Sequence, residues 1–317
     1  MAKKSDSDRS RLDDAARAGW LYYVAQNTQD EIAEKMGISR QSAQRLVALA
    51  MRERLVKFRL DHPIARCMDL AQRLKDRFGL EYCEVTLTDS TSDDPAMGIA
   101  QVAAAEIEKY LKSEAPIVMA LGTGREMRGA VEQMSRMNCP QHKLVSLVGN
   151  LAPDGSASFN EVIMRIGDTT KAPHYPMAVP VVASSKEERD ILCAQKPIRS
   201  NIALAQSADV AFVGIGELND APPLRTDGFI TPRELSDLRA AGGAGEIIGW
   251  AFDDQGVLIE GQTNDRVASV PLSQPTAIPT IGVARGPSKV RAIRAALTGG
   301  RVTGLITDEA TAETLVD

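Results

Sequence analysis

Residues 28–51, TQDEIAEKMGISRQSAQRLVALAM, predict two short helices joined by a tight turn. Thr28 is placed to cap the first helix, and Glu31 three residues later completes a capping box. Gly37 supplies the backbone freedom that a sharp turn requires, and Ser39 is placed to cap the second helix. Because the caps, the glycine and the apolar periodicity follow the order of a helix-turn-helix, this stretch sets the fold of the N-terminal region.

The second of these helices has one apolar face and one polar face. The polar face carries glutamine and arginine, the side chains that read adenine and guanine edges in a major groove. The residues predicted to contact DNA, with both helix caps included, are Thr28, Ser39, Arg40, Gln41, Ser42, Gln44 and Arg45. The alternative is a plain helical hairpin whose polar face meets only water. Since caps, turn and polar face coincide, the sequence favours DNA binding.

Charge is distributed unevenly along the 317 residues of the chain. The net charge is −5, yet residues 1–60 carry 12 Lys and Arg against 8 Asp and Glu, a balance of +4. The remaining residues carry 25 against 34, a balance of −9. Positive charge is therefore concentrated where phosphate contacts are expected, and an acidic body discourages the rest of the protein from lying on DNA.

The composition is that of an ordinary globular protein and argues against several classes. No apolar run approaches the ~20 residues of a membrane span, and the N-terminus lacks the apolar segment of a signal peptide. The four cysteines show no CxxC pairing and the three histidines lie far apart, so neither a metal site nor a disulfide framework is expected. We therefore expect a cytoplasmic protein with no metal, no cofactor and no membrane partner.

The chain divides by pattern into three segments. Residues 11–60 are predicted to form a winged type of helix-turn-helix domain, in which RLVKFRL at 54–60 suits a short wing strand or the start of a connector. Residues 61–80 are predicted to be a linker helix, from the helical periodicity over 64–78. Residues 81–317 are predicted to form an effector-binding and oligomerisation domain.

From residue 81 onward, apolar strands alternate with helical patterns. The strand candidates are 82–88, 116–121, 143–149, 178–184, 209–216, 280–286 and 302–307. The helix candidates are 95–112, 126–136, 158–171, 187–194, 232–240 and 287–298. This alternation predicts an α/β fold with a mainly parallel sheet covered on both faces. In such sheets ligands gather at the carboxyl ends of the strands.

The loop LGTGRE, residues 121–126, has the features of an anion site. It follows an apolar strand and precedes a helix, so its glycines let backbone amides approach an anion at a helix N-terminus, where a hydroxyl and an arginine add donors. The candidate effector-binding residues here are Gly122, Thr123, Gly124 and Arg125. Glycines of purely steric origin are the alternative, because the loop matches neither a dinucleotide fingerprint nor a Walker loop.

A second loop, ARGPSKVRAI at 284–293, has the same layout, with Gly286 after a strand and Lys289 in the first turn of a helix. A lysine there is electrostatically unfavourable unless it faces an anion. Two such loops in one parallel sheet predict a convergent anion site, with a solvated lysine as the alternative. Glu217 in GIGEL and Asp253 in DDQG either contact the effector or only cap their turns. No catalytic residue is predicted, since no defensible Ser/His/Asp order exists and no histidine lies near either loop.

These residues together resemble the SorC-type sugar-binding transcriptional regulators, a branch related to the DeoR regulators. The similarity runs from about Asp13 to the C-terminus and is carried by YYVAQNTQDEIAEKMGISRQSAQRLV, ADVAFVGIGEL, GEIIGWAFDDQG and VARGPSKVRAIRAALTGGRVTGLITDEATAETL. The resemblance implies an effector domain with the sheet architecture of ribose-phosphate isomerases and glucosamine-phosphate deaminases. It also implies a sugar or polyol, often phosphorylated, as inducer, and assembly as homodimers or homotetramers.

By the same resemblance, Gly122 to Arg125 would cradle the phosphate or polar end of the effector, Lys289 would approach from the opposite side, and Asp253 would lie near the hydroxyls. One position departs from the family. The first loop commonly has a hydroxyl residue after the arginine, whereas Glu126 stands here. A carboxylate beside a phosphate is repulsive, so an unphosphorylated sugar alcohol becomes an alternative effector.

The expected function is regulation of a carbohydrate or polyol catabolic operon by a DNA-binding protein. Its expected partners are operator DNA, a sugar, polyol or sugar-phosphate effector, and a further copy of the chain. An enzyme, namely a sugar-phosphate isomerase or deaminase with an accessory DNA-binding domain, is the competing class, but the loops lack a convincing base and acid pair. A helical N-terminus that serves only oligomerisation is the third alternative.

Overall fold

The computed structural model describes residues 6–56, 65–88, 96–152, 155–156, 161–273 and 275–317. The chain divides into two compact units, Met1–Pro63 and Ile64–Asp317. Across the described ranges, no helix combines the length and the apolar character that crossing a membrane requires. Each unit has a core of its own.

The first unit contains three helices, α1 (Asp6–Tyr23), α2 (Gln29–Met36) and α3 (Arg40–Arg52). Their shared core is formed by the buried side chains of Ala18, Ile32, Ala43 and Val47. Gly19 allows α1 to approach α3 closely, since a Cβ at this position would lie 2.9 Å from the Cβ of Ala50. The apolar face read from the sequence is therefore the face that closes this small core.

Part of the first unit falls beyond the described residues. Arg54 has a φ of +54° and begins a turn after α3 that is described as far as Val56. Residues 57–60, which hold most of the predicted wing strand, lie outside the described residues. The same is true of the first residues of the predicted helices at 64–78, 95–112 and 158–171.

The helix predicted as a linker, α4 (Ala65–Phe78), packs within the second unit. Its Cys67, Leu70 and Leu74 are buried in the large core of that unit. On its exposed side, Arg66 forms ion pairs with two glutamates near the C-terminus of the chain, Glu309 and Glu313. These contacts make α4 an integral part of the second unit.

The second unit is built from strands and helices in alternation. Its described strands are β1 (Tyr82–Thr86), β2 (Val118–Leu121), β3 (Lys143–Ser146), β4 (His174–Tyr175), β5 (Val210–Gly214), β6 (Gly216–Glu217), β7 (Gly245–Ile247), β8 (Trp250–Phe252), β9 (Thr280–Val283) and β10 (Gly304–Asp308). Its described helices after α4 are α5 (Met97–Leu111), α6 (Arg125–Gln133), α7 (Ile163–Thr170), α8 (Lys186–Ala194), α9 (Lys196–Gln206), α10 (Pro223–Thr226), α11 (Pro232–Ala240), α12 (Val290–Thr298) and α13 (Glu309–Val316).

The main sheet has the strand order β1-β10-β9-β5-β2-β3-β4, and its described pairings are all parallel. A smaller antiparallel sheet has the order β6-β7-β8. The predicted α/β class is thereby confirmed. The segment 178–184, predicted as a strand, forms only isolated bridges within the described residues, through Pro180 and Val182. Pro180 has no N–H to donate, which is one reason a regular ladder does not form there.

Side chains of the main sheet alternate between two buried faces. Met119 and Leu121 of β2 pack in a cluster with α5, α6 and α7, whereas Ala120 between them belongs to a cluster with α4, α9, α12 and α13. Burial on both faces explains why these strands are nearly continuous runs of apolar residues. Since the described strands of the main sheet run the same way, their carboxyl ends meet at one edge, where β2, β5 and β9 lie side by side.

Candidate DNA-binding surface and effector site

The geometry of the two short N-terminal helices follows from their capping residues. The backbone N–H of Thr28 donates to Glu31 Oε2 at 2.7 Å, and the backbone N–H of Glu31 donates to Thr28 Oγ1 at 3.3 Å. This is the predicted capping box. Gly37 ends α2 with a left-handed φ of +65°, and Ser39 Oγ accepts the N–H of Ser42 at 3.2 Å to start α3. Each local signal is therefore used as the sequence predicts.

The outward side of α3 forms a continuous polar surface. Arg40, Gln41, Gln44 and Arg45 are exposed, and we call these four residues the recognition face. Ser42 is half-buried, and its hydroxyl oxygen lies 2.9 Å from that of Ser39. It therefore contacts the residue that caps α3. Arg40 also pairs with Asp30 at 3.5 Å, but both side chains are more than two-thirds exposed, so the pair is weak and easily opened.

In the second unit, the loop after β2 is fixed against β5. The N–H of Gly122 donates to Phe212 O at 2.8 Å, and a Cβ on Gly122 would lie 3.3 Å from the Cα of Val213. Gly124 has a φ of +129°, a backbone conformation that favours glycine, and it leads directly into α6. Thr123 is half-buried and Arg125 is exposed at the helix N-terminus. The loop is thus a rigid turn that presents backbone amides and side-chain donors at the sheet edge.

The loop after β9 approaches the loop after β2. Gly286 has a φ of +103°, its N–H donates to Thr311 Oγ1 at 2.8 Å, and a 3-10 turn over Pro287–Lys289 follows. Lys289 Nζ donates to Glu126 Oε1 at 3.0 Å, and each of these two side chains is only 14% exposed. The two loops that the sequence predicted to converge therefore meet through a largely buried ion pair.

This ion pair gives the departure at Glu126 a structural role. A lysine in the first turn of a helix was expected to face an anion, and the anion within the protein is the carboxylate of Glu126. Glu126 lies in the first turn of α6, where a negative charge is also favoured by the helix dipole. The residue at which the sequence departs from the family that it resembles is therefore the electrostatic partner of Lys289.

Two more carboxylates lie near Lys289. Glu217 ends β6, which packs beside the 3-10 turn containing Lys289, and its buried Oε2 has no hydrogen-bond partner in the described part of the chain. Glu246 of β7 lies opposite Gly216, so close that a Cβ on Gly216 would meet its Oε1. Together with Glu126, these residues form what we call the carboxylate–lysine cluster.

Burial raises the pKa of Glu246 to about 6. The N–H of Gly249, which donates to Oε2 at 2.7 Å, and the charge of Lys289 both lower this pKa, whereas the charge of Glu217 raises it. Glu246 was not among the predicted site residues. The sequence feature that could have identified Glu246 is its position as a lone glutamate in the apolar run GEIIGW, which is an uncommon place for a charge.

Asp253 is engaged elsewhere. Its Oδ1 accepts the N–H groups of Gln255 and Val257, each at 2.9 Å, and so closes the turn after β8. The neighbouring Asp254 accepts two bonds from Arg291, at 2.7 and 2.8 Å, which hold the pKa of Asp254 below its ordinary value. This is the turn-capping alternative considered for Asp253, whose Oδ1 is held within its own turn.

The first unit has an exposed face of arginine and glutamine, and the second has a buried polar cluster at its sheet edge, which is the combination expected of a ligand-responsive DNA-binding protein. That class is also where the comparisons with known proteins lead. A family model that describes a sugar-binding domain matches residues 62–317. The chain belongs to the SorC-type family of sugar-binding transcriptional regulators.

Curated relatives support this membership over nearly the full chain. The erythritol catabolism regulatory protein EryD of Brucella abortus is 34% identical over 95% of this chain and 96% of its own length. The transcriptional regulator LsrR of Klebsiella pneumoniae is 30% identical over 95% of this chain and 92% of its own. Among solved structures, the full-length sorbitol operon regulator SorC from Klebsiella pneumoniae aligns with a TM-score of 0.76 and 23% identity, covering 99% of this chain and 100% of that chain, which shows the shared fold.

Proposed function

We propose that this protein regulates an operon of carbohydrate or polyol catabolism by binding operator DNA through α3 and a polyhydroxylated effector through the second unit. The observation that carries the proposal is the recognition face, whose Arg40, Gln41, Gln44 and Arg45 remain exposed while the opposite face of the helix forms the core. The names of EryD and SorC connect those relatives to erythritol and to sorbitol respectively, which supports the same substrate class here.

On DNA, the recognition face would divide its work between bases and phosphates. Glutamine can make paired hydrogen bonds to adenine, and arginine can do the same with guanine or bind phosphate. Thr28, Ser39 and Ser42 lie at the starts of α2 and α3, where helix N-termini point N–H groups at phosphate oxygens. The caps would therefore position the unit, while Gln41, Gln44 and the arginines would read sequence.

The effector would bind at the carboxyl edge of the main sheet. Gly122, Thr123, Gly124 and Arg125 would line one side, and Lys289 with Glu217 would line the other. We add Glu246 to this site because it lies next to Glu217 and within electrostatic reach of Lys289. Asp253 remains a prediction without structural support, since its carboxylate closes its own turn.

Assembly as a homodimer or homotetramer would bring two recognition helices to one operator. Two recognition helices in one dimer would enter successive major grooves about 34 Å apart on a near-palindromic operator. Effector binding would favour one arrangement of the protomers and so change the affinity for DNA. A coupling of ~1–3 kcal/mol between the two sites is typical of such systems.

The test is fluorescence anisotropy of labelled promoter DNA with the full-length protein across a series of salt concentrations. Phosphate contacts predict a steep fall in affinity as salt rises, because each neutralised phosphate releases counterions. Adding the effector should then shift the binding curve. If the protein does not bind its promoter, or binds it without any dependence on salt, the N-terminal helices serve another purpose and the proposal fails.

A further inference from the structure

We propose that the carboxylate–lysine cluster selects an uncharged polyhydroxyl compound, an alditol or a free sugar, and rejects the phosphate ester of the same compound. This inference rests on the proposed function, because it specifies the chemistry of the effector at that same site. Two independent properties of the cluster carry it: its balance of charge and its capacity for hydrogen bonds.

The positive charge that would hold a phosphate is already neutralised. Lys289 donates to Glu126 at 3.0 Å, and both side chains are 14% exposed, so the pair is shielded from solvent and its mutual attraction is strong. A phosphate ester could bond the remaining N–H groups of Lys289 only beside the carboxylate of Glu126, and displacing Glu126 would leave that carboxylate without its lysine in a poorly solvated site. Such an unpaired charge is costly.

Two further cations near the sheet edge, among the described residues, do not reverse this balance. Arg285, in the loop after β9, pairs with the buried carboxylate of Asp308 at 3.4 Å. Arg125 is exposed to solvent, where its charge is screened. Against them stand the carboxylates of Glu126, Glu217 and Glu246. A phosphate dianion at this edge would face more negative than positive charge at close range.

The helix N-terminus offers no compensating site. A phosphate at the start of α6 would be stabilised by the helix dipole and by free N–H groups. Glu126 is part of the first turn of that helix, so its carboxylate would repel a phosphate at this end. That carboxylate therefore weakens the attraction that the helix N-terminus and the loop Gly122 to Arg125 would have for a phosphate.

Hydrogen-bond capacity points the same way. Glu217 Oε2 is buried and has no hydrogen-bond partner among the described residues. An ionised carboxylate only accepts hydrogen bonds, as do the oxygens of a phosphate dianion, so neither can satisfy the other. A hydroxyl group can donate to Glu217 and accept from Thr123 or Lys289 at the same time. An uncharged hydroxyl at this position therefore supplies the donor that Glu217 Oε2 lacks, whereas a phosphate group at the same position does not.

The test compares matched pairs of ligands on the full-length protein by isothermal titration calorimetry. The probes are alditols and free sugars of four to six carbons, each paired with its own terminal phosphate ester, and inorganic phosphate. The wild-type protein should bind at least one uncharged member more tightly than its phosphate ester by about tenfold or more, a difference of about 1.4 kcal/mol. Inorganic phosphate should not bind.

Glu126→Gln keeps the shape of the side chain and frees the charge of Lys289. The variant should gain about tenfold in affinity for the phosphate ester and for inorganic phosphate, and lose affinity for the uncharged ligand. Adding Lys289→Met to Glu126→Gln should abolish the gain, because the cation that causes it is gone. Glu132→Gln, which removes a carboxylate from the far end of the same helix, is the matched control and should bind like the wild type.

The outcomes separate this inference from the function on which it rests. If the wild-type protein prefers a phosphate ester, or if no uncharged probe binds, the inference is overturned. The proposed function would still hold if the ligand that does bind releases the protein from its promoter. If an effector binds and releases the promoter, yet Glu126→Gln and the double variant change no affinity, the site itself is misplaced. A urea-unfolding transition of the second unit in every variant shows that a loss of ligand binding is not caused by unfolding.

Discussion

The recognition face and the carboxylate–lysine cluster are both charged, but they are built in opposite ways. In the first, Arg40 and Asp30 form an ion pair in which both side chains are more than two-thirds exposed. In the second, Lys289 and Glu126 form an ion pair in which each side chain is 14% exposed. An exposed pair opens at little cost and leaves its arginine available to a polyanion, whereas a buried pair is fixed in place. Under the proposed function, the movable charge would serve DNA and the fixed charge would serve the selection of a small molecule.

The largest effect should follow from breaking the buried pair. Lys289→Ala leaves Glu126 poorly solvated and without its partner, so we expect a loss of about 3 kcal/mol in the free energy of unfolding of the second unit. Effector binding should be lost as well, while promoter binding remains. Urea unfolding and anisotropy measure the two properties.

Lys186→Ala is the control for that experiment, since it also removes a lysine from the first turn of a helix, but an exposed one. It should change neither stability nor effector binding. If Lys289→Ala unfolds at the same urea concentration as Lys186→Ala and still responds to the effector, the Lys289–Glu126 pair is no more important than an exposed one. The contrast between the recognition face and the carboxylate–lysine cluster then fails.

The next effect concerns the exposed face. Gln44→Ala should weaken binding to the operator by 1–3 kcal/mol, because it removes a side chain suited to paired hydrogen bonds with a base. Binding to shuffled DNA of the same length should change little, and effector affinity should stay as in the wild type. Anisotropy with both DNAs measures the difference. Gln72→Ala, an exposed glutamine on α4, is the control; equal losses on both DNAs would show that Gln44 contacts only the backbone.

A smaller effect should appear in the dependence of stability on pH. Burial raises the pKa of Glu246 to about 6 from an ordinary 4.5, so the folded protein binds this proton more tightly than the unfolded chain does. The contribution of this proton to the free energy of unfolding is fully present below the ordinary pKa of 4.5. It is lost as the pH rises through the pKa of the folded protein, and the loss is no more than about 2 kcal/mol. Glu246→Gln removes that loss.

The variant should therefore be more stable than the wild type at about pH 7.5, and the advantage should shrink toward about pH 5. Urea unfolding at both pH values checks this, with Glu114→Gln as the control for removal of an exposed carboxylate. If the free energies of unfolding of Glu246→Gln and the wild type differ by the same amount at both pH values, the pKa of Glu246 is not raised. The cluster is then better solvated than its geometry indicates.

The same contrast explains what the sequence could and could not predict. Thr28, Gly37 and Ser39 act on neighbours three or four residues away, so the local pattern was sufficient for α2, the turn and α3. The alternation of strands and helices was equally sufficient for the parallel sheet. The pairing of Lys289 with Glu126 joins residues 163 positions apart, and no local pattern specifies it.

Some features were missed for related physical reasons. Glu246 enters the cluster through the antiparallel pairing of β6 and β7, short strands that have no clear period. Asp253 was a reasonable candidate by resemblance, but a carboxylate in a DDQG turn finds backbone N–H groups within its own loop. The convergence of two loops was predictable from the direction of parallel strands, whereas the partner chosen by each side chain was not.

The smallest effect we predict tests whether a cap in the first unit also serves DNA. Thr28→Ala removes the side-chain bond to the N–H of Glu31 and should lower the stability of α2 by about 1 kcal/mol, which hydrogen exchange of the α2 amides can measure. Thr28→Ser keeps the hydroxyl and should retain both the exchange protection and the promoter affinity. If Thr28→Ala loses promoter affinity while α2 stays fully protected, Thr28 contacts phosphate directly. If hydrogen exchange and promoter affinity are both unchanged in Thr28→Ala, Thr28 neither caps α2 nor contacts DNA. Promoter binding then depends on the recognition face of α3 without help from Thr28.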